Sequence, residues 1–175
     1  MGIFYFDTTI RSYETKFQWQ QALYYLERKY DEVKDLSLLY SLIGFSWYYL
    51  VEGPLISGAY DNDKDLTPLI IWKKYVDIGE KIALEDAFFN YIAGYTLSLH
   101  GLYISIDYAR KGNEFMNRCL KITDNVFIKQ LAENFIVNEN KKSKKYIAIN
   151  HGHEICKHLF DSTALIDQYF NAIFS

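Results

Sequence analysis

The strongest constraint on the fold is a run of twenty residues, 87–106, that contains no Asp, Glu, Lys or Arg. Large apolar residues recur in it at alternating steps of four and three, the repeat of one face of an α-helix. They are Phe88, Ile92, Tyr95, Leu99, Leu102 and Ile106. A second stripe holds only small residues, namely Gly94, Ser98, Gly101 and Ser105. We therefore predict a central helix that buries its apolar stripe and lets another helix approach closely along the small one.

The same pattern occurs fifty residues earlier in the chain. Leu38, Leu42, Phe45 and Tyr49 align with Phe88, Ile92, Tyr95 and Leu99, and Gly44 aligns with Gly94. The repetition predicts two equivalent core helices. Between them, the segment 53–66 combines two glycines, a proline and the acidic residues Asp61, Asp63 and Asp65, so we predict a long loop there.

Capping residues and apolar periodicity divide the whole chain into helices. Asp7 or Thr8 is expected to begin the first helix, and Thr67 and Pro68 the third. Gly53 and Pro54 are expected to end the second helix, and Gly112 is expected to break the helical structure that follows the central helix. The predicted helices cover 8–29, 35–51, 67–84, 87–106, 113–122, 126–137, 144–160 and the C-terminus. Because no stretch alternates with period two, we predict an all-α fold of seven or eight helices, in one domain over 1–175.

Composition and charge exclude several functional classes. Half of the 175 residues are apolar and 23% are charged, which is incompatible with a disordered chain. The net charge of −3 argues against general nucleic-acid binding. Only four consecutive apolar residues precede Asp7, so we expect no signal peptide, and the polar residues within 87–106 argue against a membrane span. Two cysteines form no disulfide framework, and we expect a cytoplasmic protein.

Two junctions resemble those between tetratricopeptide-type helical hairpins. ALEDAFFNYIAGY begins at Ala83 and CLKITDNVFIKQLAENF at Cys119, and each joins a helix end to an aromatic-rich helix through an acidic turn. Tyr40, Ile43-Gly44 and Trp47 fall at the spacing of that family's W-x-x-L-G-x-x-Y signature. The resemblance implies stacked antiparallel helix pairs that bind a peptide or another protein. In size and composition the chain also resembles small bacterial immunity proteins, which neutralise a cognate toxin.

Motifs for chemistry are few. His151, His153, Cys156 and His158 are metal-type ligands, but on one helix the four side chains do not converge on a tetrahedral centre. The acidic loop resembles a calcium loop only in part, because Leu66 and Trp72 stand where glycine and an acidic residue are needed. Cys119 or Cys156 with a histidine is a weak nucleophile candidate, and no cofactor motif is present.

The preferred hypothesis is a non-catalytic protein-binding module of the bacterial cytosol, most specifically an immunity protein that neutralises a basic toxin such as a nuclease. Its predicted partner-binding residues are Glu52, Tyr60, Asp61, Asp63 and Asp65. One alternative is a peptide-binding adaptor or chaperone with a groove around Trp47 and Tyr91. The other is a metal-dependent enzyme that uses the region His151–His158. The preferred hypothesis requires no cofactor, metal, nucleic acid or membrane.

Overall fold

The all-α prediction is confirmed. The structure, a computed structural model, describes residues 4–57, 67–140 and 168–169. Over these residues it forms seven α-helices, one short 3-10 turn and no strand. The helices are α1 (Thr8–Thr15), α2 (Trp19–Val33), α3 (Leu36–Ser57), α4 (Thr67–Ile82), α5 (Ala87–His100), α6 (Ile106–Ile122) and α7 (Val126–Asn140), with the 3-10 turn Gly101–Tyr103 between α5 and α6.

Adjacent helices pack as pairs around α3 and α5. The packing of α5 against α6 and of α3 against α4 is the most extensive, and α3 also contacts α5 directly. Leu38, Leu42 and Phe45 of α3 are buried, and so are Phe88, Ile92 and Tyr95 of α5. The predicted equivalence of the two core helices is therefore confirmed at these positions.

The small stripe is where α6 approaches α5. A Cβ added to Gly94 would lie 2.9 Å from the backbone nitrogen of Met116, and one added to Gly101 would lie 2.8 Å from that of Ala109. Gly112 of α6 faces the same stripe, since a Cβ there would lie 2.7 Å from Ser98 Oγ. These backbones are too close for any larger residue. The prediction that Gly112 interrupts the helix is wrong, because this glycine serves close packing within a continuous α6.

The predicted beginnings of α1, α4, α5 and α7 are confirmed, whereas those of α2 and α6 were not predicted. The Asp7 side chain accepts hydrogen bonds from the backbone N–H groups of Thr9 and Ile10, at 2.9 Å each. Asp86 caps α5 by accepting from Phe89 N at 2.7 Å, and Asn125 caps α7 by accepting from Phe127 N at 2.9 Å. Each cap satisfies donors that the first helical turn leaves without partners.

Three predicted helix boundaries are wrong. The expected first helix is two helices, because Phe17 between them adopts a left-handed backbone conformation (φ 55°). The expected turn at 30–35 begins later, since α2 continues to Val33 and ends at Lys34, which is also left-handed (φ 56°). Pro54 does not end α3, which continues to Ser57. A proline within a helix removes one backbone hydrogen bond, and the helix tolerates that loss here.

The central helix is shorter than predicted. α5 ends at His100, the chain then forms the 3-10 turn, and Ser105 caps α6, whose first residue is Ile106. The apolar stripe therefore divides: Phe88, Ile92 and Tyr95 are buried, while Leu99, Leu102 and Ile106 are exposed. Ile82, the last residue of α4, is also exposed. The helix predicted at 144–160 lies outside the described residues, and of the predicted C-terminal helix the structure describes only Gln168 and Tyr169, both helical.

Candidate functional site

Of the five predicted partner-binding residues, the structure describes Glu52. It lies in α3 and is partly buried. Tyr60, Asp61, Asp63 and Asp65 lie outside the described residues, as do His151, His153, Cys156 and His158. The roles predicted for these eight residues therefore stay predictions from the sequence.

Glu52 lies beside a cluster of aromatic side chains and a histidine. Its negative charge adds to the effect of burial in raising the pKa of Tyr48 to about 12. The same charge acts on Tyr169, whose pKa is raised mainly by burial, and favours the protonated form of His100. Glu52 thus supplies negative charge to the ends of α3 and α5.

His100 is held by a hydrogen bond to a buried tryptophan. Trp47 Nε1–H donates to His100 Nδ1 at 3.1 Å, and the two ring centroids are 5.8 Å apart. An indole nitrogen only donates, so His100 Nδ1 must be the unprotonated nitrogen of the imidazole, and its proton lies on Nε2. Burial lowers the pKa of His100 below its ordinary value, although Glu52 opposes this effect.

Aromatic rings pack around the Trp47 side chain. The ring of Tyr95 in α5 lies 5.8 Å from that of Trp47, and Tyr169 lies 5.3 Å from Trp47 and 5.2 Å from Tyr48. Burial and the hydrogen-bonded neighbour Tyr169 raise the pKa of Tyr95, so both hydroxyls stay protonated at neutral pH. Trp47 and Tyr91 are fully buried. Neither side chain is therefore available to line the peptide groove predicted around them, and the adaptor alternative stays a prediction from the sequence.

A group of exposed apolar side chains flanks His100 in the sequence. Leu99, Leu102, Tyr103 and Ile106 have 41%, 70%, 59% and 69% of their surface exposed, and we call these four residues the corner surface. The Tyr103 ring lies 5.4 Å from the His100 ring, which links this surface to the aromatic cluster. Periodicity did not reveal it, because the apolar stripe continues through the turn while the helix does not.

A second surface feature is a groove of about 510 Å³ between the end of α4 and α6. Leu84, Phe115 and Ile122 contribute apolar atoms, and charged side chains of both signs surround them. Lys111 pairs with Glu80 at 2.6 Å, and Arg118 pairs with Glu85 at 3.2 Å. The charged side chains that line this groove, Glu80, Glu114, Arg118 and Lys121, are two acidic and two basic, so their formal charges balance.

Other chemistry finds little support in the part of the chain that the structure describes. No three His, Cys, Asp or Glu side chains within it converge as metal ligands. Cys119 is buried, and burial raises the pKa of its thiol to about 12, which suppresses the thiolate needed for nucleophilic attack. The predicted Cys119 nucleophile is thereby disfavoured.

The helices of the described ranges also fall short, in length or apolar character, of what crossing a lipid bilayer requires. Comparison with known proteins gives no relative from which a function is transferable: no family model, curated protein or solved structure matches the chain.

Proposed function

We propose that this chain is a non-catalytic protein-binding module and that the corner surface contacts its partner. The observation that carries the proposal is the exposure of four large apolar side chains within eight residues, 99–106. Exposed apolar side chains concentrated in this way are typical of interaction sites on soluble proteins. The proposed site is built on the end of α5, the 3-10 turn and the first residue of α6.

The scaffold behind this surface suits a binding role. α5 is buried from Phe88 to Leu97, and α6 packs closely along the small stripe, so the corner extends from a rigid base. A preorganised surface loses less conformational entropy when a partner binds. Large apolar and aromatic side chains such as Leu102 and Tyr103 are suitable for the desolvated centre of an interface.

For the identity of the partner we propose a basic protein, and most specifically a toxin that this chain neutralises as an immunity protein. The chain carries a net charge of −3, and Glu52 places a carboxylate beside His100. Complementary charge accelerates the encounter of two proteins, while the apolar contacts hold the complex. The acidic residues Asp61, Asp63 and Asp65 extend this proposal, on sequence grounds, to the segment after α3 that the sequence predicts to be a loop.

The test uses the product of the adjacent reading frame as the candidate partner, with affinity measured by isothermal titration calorimetry. The double variant Leu102→Ser, Ile106→Ser should bind at least tenfold more weakly, because central apolar residues of interfaces each contribute more than about 1 kcal/mol. Val126→Ser is the matched control, since Val126 is 72% exposed on a different helix. Unchanged affinity of the double variant contradicts the proposed surface.

The acidic loop is tested separately in the same assay. Reversing the charge of Asp61, Asp63 and Asp65 to lysine should slow association and weaken binding to a basic partner. If affinity and association rate stay as in the unmodified chain, these three residues are not part of the site, whatever the result at Leu102 and Ile106.

A further inference from the structure

We propose that the hydrogen bond between Trp47 and His100 is a pH-sensitive latch that holds the corner surface in place at neutral pH and releases it when His100 is protonated. The consequence for partner binding rests on the function proposed above. The latch itself is a property of the chain alone, so it is testable without any partner.

The geometry of the hydrogen bond makes it sensitive to protonation. His100 Nδ1 accepts the indole proton of Trp47 at 3.1 Å. A proton added to imidazole goes to this nitrogen, because Nε2 already carries one. Two N–H groups then point at each other, and His100 must move away from Trp47. The indole itself is fixed, because Trp47 is fully buried and packs against Tyr95 and Tyr169.

The position of His100 in the chain transmits this movement to the corner surface. His100 is the last residue of α5, and the 3-10 turn carrying Leu102 and Tyr103 follows it directly. Its ring also contacts the Tyr103 ring, with centroids 5.4 Å apart. Gly101, the first residue of the turn, lies against the backbone of Ala109 in α6. A displacement of the His100 ring therefore reaches the turn through its contact with the Tyr103 ring.

The charged and titratable groups around His100 determine where the latch opens. Glu52 of α3 and the carbonyl groups at the end of α5 favour protonation, while burial opposes it more strongly and lowers the pKa of His100. Tyr48, Tyr95 and Tyr169 near Trp47 carry neutral hydroxyls in this range, because burial raises the pKa of each. On α6, Asp107 and Arg110 pair with each other. The transition is therefore expected below pH 6.5, the ordinary value for histidine.

The experiment is a pH titration of the full chain by ¹H–¹⁵N NMR. The resonance of the Trp47 indole N–H and the backbone amide resonances of 101–106 should shift between pH 7.5 and 5, all with the midpoint of the His100 ring. In the variant His100→Asn these shifts should disappear, because the amide oxygen of asparagine stands near the position of Nδ1, accepts a hydrogen bond and does not titrate. In His100→Phe the indole resonance should take a different, pH-independent position.

A background variant in which His151, His153 and His158 are all asparagine should keep the full titration. The proposal is overturned if the indole or the 101–106 amides stay fixed while His100 titrates. It is equally overturned if they shift in His100→Asn as they do in the unmodified chain. Because no partner is present, a failure here is distinct from a failure of the corner surface to bind the candidate partner.

Discussion

The two halves of the uncharged run at 87–106 differ in what covers them. From Phe88 to Leu97 every residue is buried, polar Asn90 and Thr96 included. From Leu99 to Ile106 the large apolar side chains are exposed, with the exception of Ile104, which is partly buried. The residue types are alike in the two halves, and so is their spacing. The difference arises because α3, α6 and α7 pack on α5, whereas the chain turns away at His100.

This comparison separates scaffold from surface within a single sequence pattern. In the first half, polar side chains form hydrogen bonds inside the fold: Asn90 Nδ2 donates to the carbonyl oxygens of Leu84 and Asp86, at 2.7 Å each. In the second half, apolar side chains remain in contact with water, which costs free energy unless a partner covers them. The same hydrophobicity therefore stabilises the fold in one half and is available for binding in the other.

The largest effect should come from a matched pair of substitutions, one in each half. Leu97→Ala removes a fully buried side chain and should lower the free energy of unfolding by about 2–5 kcal/mol. Leu102→Ala truncates a side chain that is 70% exposed and should change the free energy of unfolding by no more than about 0.5 kcal/mol. Urea denaturation followed by far-UV circular dichroism measures both. Equal losses for the two variants would contradict the division of the run.

A smaller loss of stability is expected at Gly112, where α6 packs closely against the small stripe of α5. Gly112→Ala places a methyl group within 2.8 Å of the Leu97 carbonyl carbon and close to Ser98, and backbone atoms yield less easily than side chains. We expect about 1–3 kcal/mol of destabilisation, as for other overpacked cores. Glu114→Ala is the control, because Glu114 is exposed on the same helix. Gly112→Ala without a loss of stability in the same denaturation assay would show that α5 and α6 are able to separate at no cost.

The sequence was sufficient for the fold class and for much of the core. Periodicity identified Phe88, Ile92 and Tyr95, and the repeat at Leu38, Leu42 and Phe45 identified the second core helix. Helix starts were recognisable because a capping carboxylate or amide acts on N–H groups two or three residues away. Local interactions of this kind are present in the sequence itself.

The corner surface could not be predicted, because periodicity reports which side chains share a face and not what covers that face. Leu99 continues the stripe of Tyr95 without interruption, and only the tertiary packing exposes it. The bond between Trp47 and His100 joins residues 53 positions apart and leaves no local signal. The left-handed backbone at Phe17 is equally unmarked, since nothing in its residue type favours a positive φ.

The smallest effect concerns His100, at the boundary between the two halves. Its pKa is lowered in the folded chain, so the unfolded chain binds more protons as the pH falls through 6.5. The contribution of His100 to the free energy of unfolding is therefore fully present above pH 6.5. It declines as the pH falls below that value, until His100 is protonated in the folded chain too. Because His100 is only partly buried, solvent screening should keep the loss below about 1 kcal/mol.

Comparing urea denaturation at pH 7.5 and 5.5 for the unmodified chain and His100→Asn isolates the contribution of His100 from that of the other titrating groups, which both proteins share. His100→Asn should lose less stability between the two pH values. If both proteins lose the same amount, protonation of His100 does not weaken the boundary, and the corner is held by the packing of Gly101 against Ala109 alone.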